Sequence, residues 1–111
     1  TYHNAKIVIG IGGSALPYVG GRMMRNYNLH KDTLADPSKG LSMLYYDTLL
    51  HDPAALAFLI DAVGVDRIMM GSDMPFPIGD PAPRAVLDHL ALDLADRTTL
   101  ETGVARKLFG L

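Results

Sequence analysis

Three short apolar segments alternate with helical patterns along this chain, and this alternation restricts the possible folds more than any other feature. The apolar segments cover residues 5–11, 41–47 and 68–71. Strands that are separated by helices pair in parallel through right-handed crossovers, and strands that are apolar throughout are covered on both faces. The element order β-α-β-α-β-α-α therefore predicts an α/β fold. Three such units are too few to close a (β/α)₈ barrel, which needs roughly 250 residues.

Capping residues and apolar spacing predict where the helices begin and end. Asp52-Pro53 combines an N-cap acid with proline at the first helical position, and Gly64 is placed as the C-cap. The other helices are predicted over residues 17–27, over 84–94, and from a capping box formed by Thr98 and Glu101.

Composition is typical of a single intracellular globular domain. The 111 residues carry a net charge of −2, are 49% hydrophobic and include no cysteine. We expect a soluble cytoplasmic protein. No basic tract and no apolar run of about eighteen residues is found, so neither nucleic acid nor a membrane is indicated as a partner. Without cysteine, the strong metal ligands are His, Asp and Glu.

An apolar strand runs directly into one carboxylate, Asp73, before prolines interrupt regular structure. The strand is predicted over residues 68–71, which places Asp73 at its carboxyl end, where α/β proteins build active sites. The following segment, 74–83, contains four prolines and is predicted to be a rigid rim loop without helix or strand. Asp73 is therefore a candidate ligand or catalyst, or an acid that caps a turn.

The second predicted strand also ends in a carboxylate, Asp47, with His51 four residues later. Both carboxylates are expected at the same edge of a parallel sheet, where two acids can act as an acid and base pair. His51 is a candidate for proton transfer, because imidazole changes charge near neutral pH. Its alternative role is structural, as a residue at the start of a helix that pairs locally with Asp52.

A glycine pattern between the first strand and the first helix, Gly10-x-Gly12-x-x-Ala15, matches the dinucleotide-binding fingerprint. In that fingerprint, an acid at the end of the next strand binds the ribose. Here Asp32 and Asp36 lie in a polar segment before the next strand begins, and Pro17 removes a donor from the start of the helix. A dinucleotide-binding domain remains a second alternative.

Several separated motifs, in the same order, resemble the amidohydrolase-related family of metal-dependent enzymes typified by aminocarboxymuconate semialdehyde decarboxylase. The resemblance covers essentially all of the chain. It rests on Gly12-Gly13, Pro17-Tyr18, Gly21-Arg22, Tyr46-Asp47-Thr48, His51-Asp52-Pro53, Arg67-Ile68, Gly71-Ser72-Asp73-x-Pro75-Phe76-Pro77 and Leu108-Phe109-Gly110-Leu111.

The resemblance implies that residues 1–111 form the C-terminal arc, the last three βα units, of a single (β/α)₈ barrel domain. It implies that Asp73 is a catalytic ligand of a divalent metal, usually zinc, and that metal-bound water is the activated group. The expected activity is decarboxylation or hydrolysis of a small carboxylated, unsaturated or aromatic acid. Arg22 would bind a substrate carboxylate in the neighbouring subunit of a homodimer or larger homo-oligomer, and Phe76 would contact substrate.

The sequence departs from the family pattern at Ile11, where the family usually has a histidine that activates metal-bound water. Isoleucine cannot transfer a proton, so another base, a different reaction or a disabled site is implied. A non-catalytic remnant or assembly domain is therefore the first alternative to an enzyme. The histidine ligands expected of the family are also missing, and the chain begins at Thr1 rather than methionine, so we expect it to be part of a longer protein whose other ligands lie upstream.

Overall fold

A computed structural model describes residues 4–111, and a three-stranded parallel sheet lies at its centre. The strands pair in the order β1-β2-β3, and their bounds are Val8–Ile9 for β1, Tyr45–Asp47 for β2 and Ile68–Met69 for β3. The predicted α/β class and parallel pairing are thus confirmed. The strands are shorter than predicted, because ladder pairing is limited to two residues between β1 and β2 and two between β2 and β3.

Helices follow each strand. They are α1 (Leu16–Leu29), α2 (Pro37–Leu41), α3 (Pro53–Val63), α4 (Leu94–Thr98) and α5 (Val104–Phe109). Short 3₁₀ turns cover Ile11–Gly13, Val65–Arg67 and Ala85–His89, and a π-helical segment, Thr99–Gly103, joins α4 to α5. No helix within residues 4–111 combines the length and the apolar character needed to span a bilayer.

The predicted caps of α3 are confirmed. Asp52 Oδ1 accepts hydrogen bonds from the backbone N–H groups of Ala54 at 2.7 Å and Ala55 at 3.2 Å. Gly64 ends the helix with φ of +87°, a conformation that glycine adopts without strain.

The prediction of a helix over residues 84–94 is wrong, and so is the capping box at Thr98. Only Ala85–His89 is helical there, as a 3₁₀ turn, and Leu90 is extended. Helix α4, the π-helical segment and α5 run on without a break as one final helix, which begins earlier than predicted because Asp93 is the N-cap of α4 and accepts from the Asp96 N–H at 2.7 Å. Thr98 lies inside the helix, where its hydroxyl donates to the Leu94 carbonyl at 2.7 Å.

The start of the second strand was also predicted too early. Leu41, predicted as the first residue of that strand, is instead the last residue of α2, which forms within the polar segment before it. This helix forms because the Asp36 carboxylate caps it, accepting from the Ser38 hydroxyl at 2.7 Å and the Ser38 N–H at 2.9 Å. The same two bonds lower the pKa of Asp36.

Apolar side chains cover both faces of β2 and β3. The larger cluster of buried residues consists of Tyr46, Leu56, Leu59, Ile68, Leu87 and Leu100. On the other face, Met69 packs with Val104 and Leu108. Val8 in β1 is half-exposed. Side chains therefore bury both faces of β2 and β3, as expected, but not both faces of β1.

Arg97 joins the Ala85–His89 turn to the final helix. Its guanidinium donates to the Asp88 carboxylate at 2.6 Å and to the Glu101 carboxylate at 2.9 Å. Pairing with Asp88 and then with Glu101 raises the pKa of Arg97. The turn is thereby held against the helix whose Leu100 and Val104 side chains fill the core.

Candidate active site at the carboxyl edge of the sheet

The carboxyl ends of the three parallel strands share one edge of the sheet, and backbone strain is concentrated there. In the described part of the chain, the non-glycine residues with left-handed φ all lie in the segments that follow these strands: Ile11 (+55°), Ser14 (+52°), His51 (+53°) and Asp73 (+55°). Sparsely populated conformations of this kind cluster at functional sites. This edge is therefore the candidate site.

Asp73 lies just beyond β3, half-buried, with a backbone conformation that aspartate tolerates better than most residues. Its backbone carbonyl accepts from the Phe76 N–H at 3.0 Å. The side-chain hydrogen bonds and ion pairs found in residues 4–111 do not involve its carboxylate. Its two oxygens thus stay available to a ligand at this edge.

The loop after Asp73 has no helix or strand, as predicted, and is held by its own backbone. The Asp80 N–H donates to the Ser72 carbonyl at 2.7 Å, and the Gly79 N–H donates to the Phe76 carbonyl at 2.8 Å. A Cβ on Gly79 would lie 2.9 Å from the Asp73 carbonyl oxygen, so only glycine fits this turn. Phe76 is 63% exposed on the loop.

Asp47, predicted as a possible catalytic partner of Asp73, is instead bound by the backbone. Its Oδ1 accepts from the Gly12 N–H at 2.7 Å and from the Leu49 N–H at 3.1 Å, and its Oδ2 accepts from the Ile11 N–H at 3.1 Å. The residue is only 9% exposed. Asp47 thus ties the end of β2 to the turn after β1, a structural role that the sequence analysis missed.

Thr48 makes the corresponding connection to β3 and was also missed. Its hydroxyl oxygen accepts from the Gly71 N–H at 3.2 Å, and its own N–H donates to the Met69 carbonyl at 3.1 Å. Thr48 is buried. The adjacent pair Asp47-Thr48 therefore fixes both neighbouring strand ends, and this pair at the end of an apolar strand is the sequence signal for that role.

The glycines after β1 serve packing. A Cβ on Gly12 would lie 2.6 Å from Leu50, and a Cβ on Gly13 would lie 2.6 Å from the Tyr46 ring. The N–H groups of Ile11 and Gly12 already donate to Asp47. The donors that a pyrophosphate would need are thus occupied, which argues against the dinucleotide-binding interpretation.

His51 is exposed and lines a cavity of about 400 Å³ together with Asp80 and His89. The carboxylate of the adjacent Asp52 caps α3, where Ala54 and Ala55 donate to it. The structure therefore places His51 near the predicted edge, beside the loop that follows Asp73.

Arg22 lies on the exposed surface of α1, away from this edge. It is six residues beyond Leu16, which is about 9 Å along the helix axis. Arg22, Arg25 and Asn26 line a groove of about 600 Å³. Within one chain, Arg22 is thus not brought together with the residues that follow the strands.

The described residues fit one part of a metal site. Carboxylate oxygen is a suitable ligand for zinc, manganese and magnesium, and Asp73 offers one. No group of three His, Asp or Glu side chains within residues 4–111 is arranged to hold a metal ion. A complete coordination sphere would need donors from outside this part of the chain.

Comparison with known proteins gives consistent matches. The model of the Amidohydrolase family matches residues 13–111. Two similar proteins carry the name 2-amino-3-carboxymuconate-6-semialdehyde decarboxylase. The one from Caenorhabditis elegans is 36% identical over 101 residues, 86% of this chain and 25% of that protein. The one from Dictyostelium discoideum is 29% identical over 92 residues, 78% of this chain and 26% of that protein.

A solved structure with the same fold is the dihydroxybenzoic acid decarboxylase of Polaromonas sp. JS666, which holds manganese and the inhibitor 2-nitroresorcinol. It is 25% identical with a TM-score of 0.78, covering 96% of this chain and 34% of that one. The chain spans about a quarter of the length of the curated relatives that it matches. The family match covers nearly all of the sequence, and the chain belongs to the amidohydrolase family.

Proposed function

We propose that this chain supplies part of the active site of a metal-dependent decarboxylase that acts on a small carboxylated aromatic or unsaturated acid. The observation that carries the proposal is Asp73, an acid in the segment that follows β3, whose carboxylate makes no hydrogen bond or ion pair with the other described residues. Membership of the amidohydrolase family supports it. So do the two relatives named as decarboxylases.

We further propose that β1, β2 and β3 are the last three strands of a (β/α)₈ barrel. Each outer strand pairs on one side only within the described chain, which leaves one edge of β1 and one edge of β3 for further strands. Half-exposed Ile7 and Val8 lie at the first of these edges and would be covered by such a neighbour. The missing metal ligands would come from the strands that complete the barrel.

Asp73 would bind a divalent metal through one carboxylate oxygen and would accept a hydrogen bond or proton with the other. The metal would act as a Lewis acid and would lower the pKa of bound water. We expect zinc, and manganese is also compatible because it is present in the Polaromonas enzyme. The distinction depends on ligands outside residues 4–111.

Decarboxylation breaks a carbon–carbon bond, leaves the electron pair on the remaining carbon, and requires a proton at that carbon. Ile11 has no group that can supply it. His51 is the imidazole that follows β2 at this edge, and we propose it as the residue that transfers the proton.

Substrate recognition is proposed for Arg22 and Phe76. The guanidinium of Arg22 offers a planar fork of donors to a carboxylate, and its exposed position on α1 suits a role in the site of a second copy of the chain. Exposed Phe76 would pack against the apolar part of the acid. The active protein is then a homodimer or larger homo-oligomer.

The second candidate function is a non-catalytic family member, and Ile11 is the observation that favours it. The side chain is 62% exposed at the active-site edge, where it offers only an apolar surface. Such a protein would have the same fold but would not catalyse decarboxylation.

The test is carbon dioxide release by the full-length protein from 2-amino-3-carboxymuconate-6-semialdehyde and from 2,6-dihydroxybenzoate. We expect release from at least one of them, loss of activity after treatment with a chelator, and recovery with added zinc or manganese. Arg22→Met and His51→Gln should each lower the rate, whereas exposed Arg106→Met should not. Activity that survives complete metal removal would contradict the proposal, and a metal-free protein without activity would support the non-catalytic alternative.

A further inference from the structure

We propose that Asp47 is a positioning residue that holds the turn after β1 and thereby fixes the side chain of residue 11 as an apolar wall of the substrate site. The part of this inference that concerns substrate rests on the proposed function. The part that concerns the turn stands on the geometry of Asp47 alone.

The two oxygens of Asp47 have separate tasks. Oδ2 accepts from the Ile11 N–H at 3.1 Å, while Oδ1 accepts from Gly12 at 2.7 Å and from Leu49 at 3.1 Å. Both oxygens are therefore needed as acceptors. An asparagine at this position keeps one acceptor oxygen and replaces the other with an NH₂ group, which cannot accept a hydrogen bond.

Ile11 has a conformation that its own side chain disfavours. Its φ is +55°, a region in which β-branched residues are outliers. The side chain is 62% exposed, so burial does not compensate for the strain. Strained residues persist where the surrounding structure determines them. The hydrogen bonds from residues 11 and 12 to Asp47 are the contacts that hold the backbone in this conformation.

The turn that carries Ile11 lies at the same edge of the sheet as Asp73. Residue 11 follows β1 and Asp73 follows β3, and one strand separates them. Neighbouring strands lie about 4.8 Å apart, so the two strand ends are separated by about 10 Å. Ile11 lies two residues beyond β1 and Asp73 four residues beyond β3, and we infer that a small acid bound at Asp73 and extending along this edge meets the Ile11 side chain.

The first test is a double-mutant cycle between the two residues in the full-length protein. Ile11→Gly removes the strain and should slow unfolding and raise the urea midpoint in the wild-type background. With Asp47→Asn present, the turn can relax, and the same change should have little effect. We expect a coupling of about fivefold or more in the unfolding equilibrium constant. Additive effects would overturn the proposal.

Amide hydrogen exchange tests directly whether Asp47 holds the backbone of the turn after β1. Asp47→Asn should accelerate exchange of the Ile11 and Gly12 amides about tenfold or more, and it should leave the Gly71 amide, which donates to Thr48, much less affected. The matched control is Asp93→Asn, which alters an N-cap at the final helix. Unchanged exchange at Ile11 and Gly12 would overturn the proposal.

The kinetic arm measures KM and kcat for carbon dioxide release. Ile11→Asn should change KM severalfold in the wild-type background and should change it much less when Asp47→Asn is present. If Asp47 only stabilises the fold, Asp47→Asn should lower the amount of active protein, and Ile11→Asn should change KM by the same factor with and without Asp47→Asn. That result would contradict the proposal that Asp47 positions residue 11 against the substrate. If neither the wild-type protein nor any variant releases carbon dioxide, the proposed function fails. The hydrogen-exchange rates and the double-mutant cycle still decide whether Asp47 holds the turn.

Discussion

Asp47 ends β2 and Asp73 lies four residues beyond β3, and the two acids have opposite environments. Asp47 is 9% exposed and accepts three backbone hydrogen bonds, two of them from residues 35 and 36 positions earlier in the chain. Asp73 is half-buried, has a left-handed backbone, and contributes its carbonyl rather than its carboxylate to the local hydrogen bonds. The Asp47 carboxylate is used by the fold, whereas the Asp73 carboxylate makes no hydrogen bond or ion pair within residues 4–111.

This difference teaches that an acid at the carboxyl end of a strand is functional only if the backbone does not already need it. At the β2 end, the adjacent Thr48 also binds a neighbouring segment through Gly71. At the β3 end, the loop closes through backbone bonds such as Asp80 N–H to the Ser72 carbonyl. The hydrogen bonds of Asp47 and Thr48 thus fix the β2 end beside the edge at which we propose that Asp73 binds a metal.

Removal of Asp47 should have the largest effect on stability. Asp47→Ala leaves three N–H groups without their acceptor: the buried one of Gly12, which costs about 1–3 kcal/mol when unsatisfied, and the part-buried ones of Ile11 and Leu49, which add smaller losses. We expect the free energy of unfolding of the full-length protein to fall by about 3 kcal/mol or more, measured by urea denaturation. Asp80→Ala is the control, because its carboxylate accepts from Ala82 alone at an exposed position. If both variants lose the same free energy of unfolding, Asp47 contributes no more to stability than an exposed acid does.

Enlarging the turn that Asp47 holds should have the next largest effect. A Cβ at Gly13 would lie 2.6 Å from the Tyr46 ring, and φ is +81°. Overpacking and the left-handed backbone together should lower stability by about 2 kcal/mol or more in Gly13→Ala. In the matched control Gly20→Ala, the added Cβ meets nothing within 4 Å inside α1, and stability should rise by about 0.5–1 kcal/mol. A harmless Gly13→Ala would show that this turn is loosely packed.

The smallest effect is expected from Tyr46→Phe, which tests the core beneath the β2 end. The Tyr46 hydroxyl donates to the Leu41 carbonyl at 3.3 Å, so its loss should cost about 1 kcal/mol at neutral pH. Burial raises the pKa of the Tyr46 phenol above its ordinary value. The neutral form is thus favoured in the folded state, and this contribution is full below about pH 10 and is lost as the pH rises through the folded-state pKa.

The stability difference between wild type and Tyr46→Phe should therefore narrow above pH 10, measured by urea denaturation at a series of pH values. A constant difference across that range would show that burial does not affect ionisation of Tyr46.

Features of the fold that depend on near neighbours were predictable from the sequence. The Asp52 cap, the Gly64 end of α3 and the three parallel strands in their order follow from short-range patterns. The Thr98 capping box failed because a second cap, Asp93, lies five residues earlier and starts the helix first. Asp93 and Thr98 are both suitable N-caps. The helix that starts after Asp93 is the longer of the two, and burial of Leu100 and Val104 stabilises it.

The site was predictable in its location but not in the roles of its acids. The structure confirms Asp47 as the last residue of β2, whereas β3 ends at Met69 and Asp73 lies four residues beyond it, in the segment that follows the strand. The Asp47-Thr48 pair at the end of an apolar strand is a signal for a structural role, but no local pattern identifies the N–H groups of Ile11 and Gly12 as the donors, because those bonds join distant parts of the chain. The left-handed φ of Ile11 likewise has no signal in the sequence around it.

The most direct test of the contrast is the metal content of the full-length protein with each acid changed to asparagine. Asparagine tolerates the left-handed conformation at residue 73, so Asp73→Asn removes the charge with little effect on the fold. Elemental analysis should find about one divalent metal ion per wild-type chain and almost none in Asp73→Asn, whereas folded Asp47→Asn should retain most of its metal. Full metal content in Asp73→Asn, or equal loss in the two variants, would contradict the account.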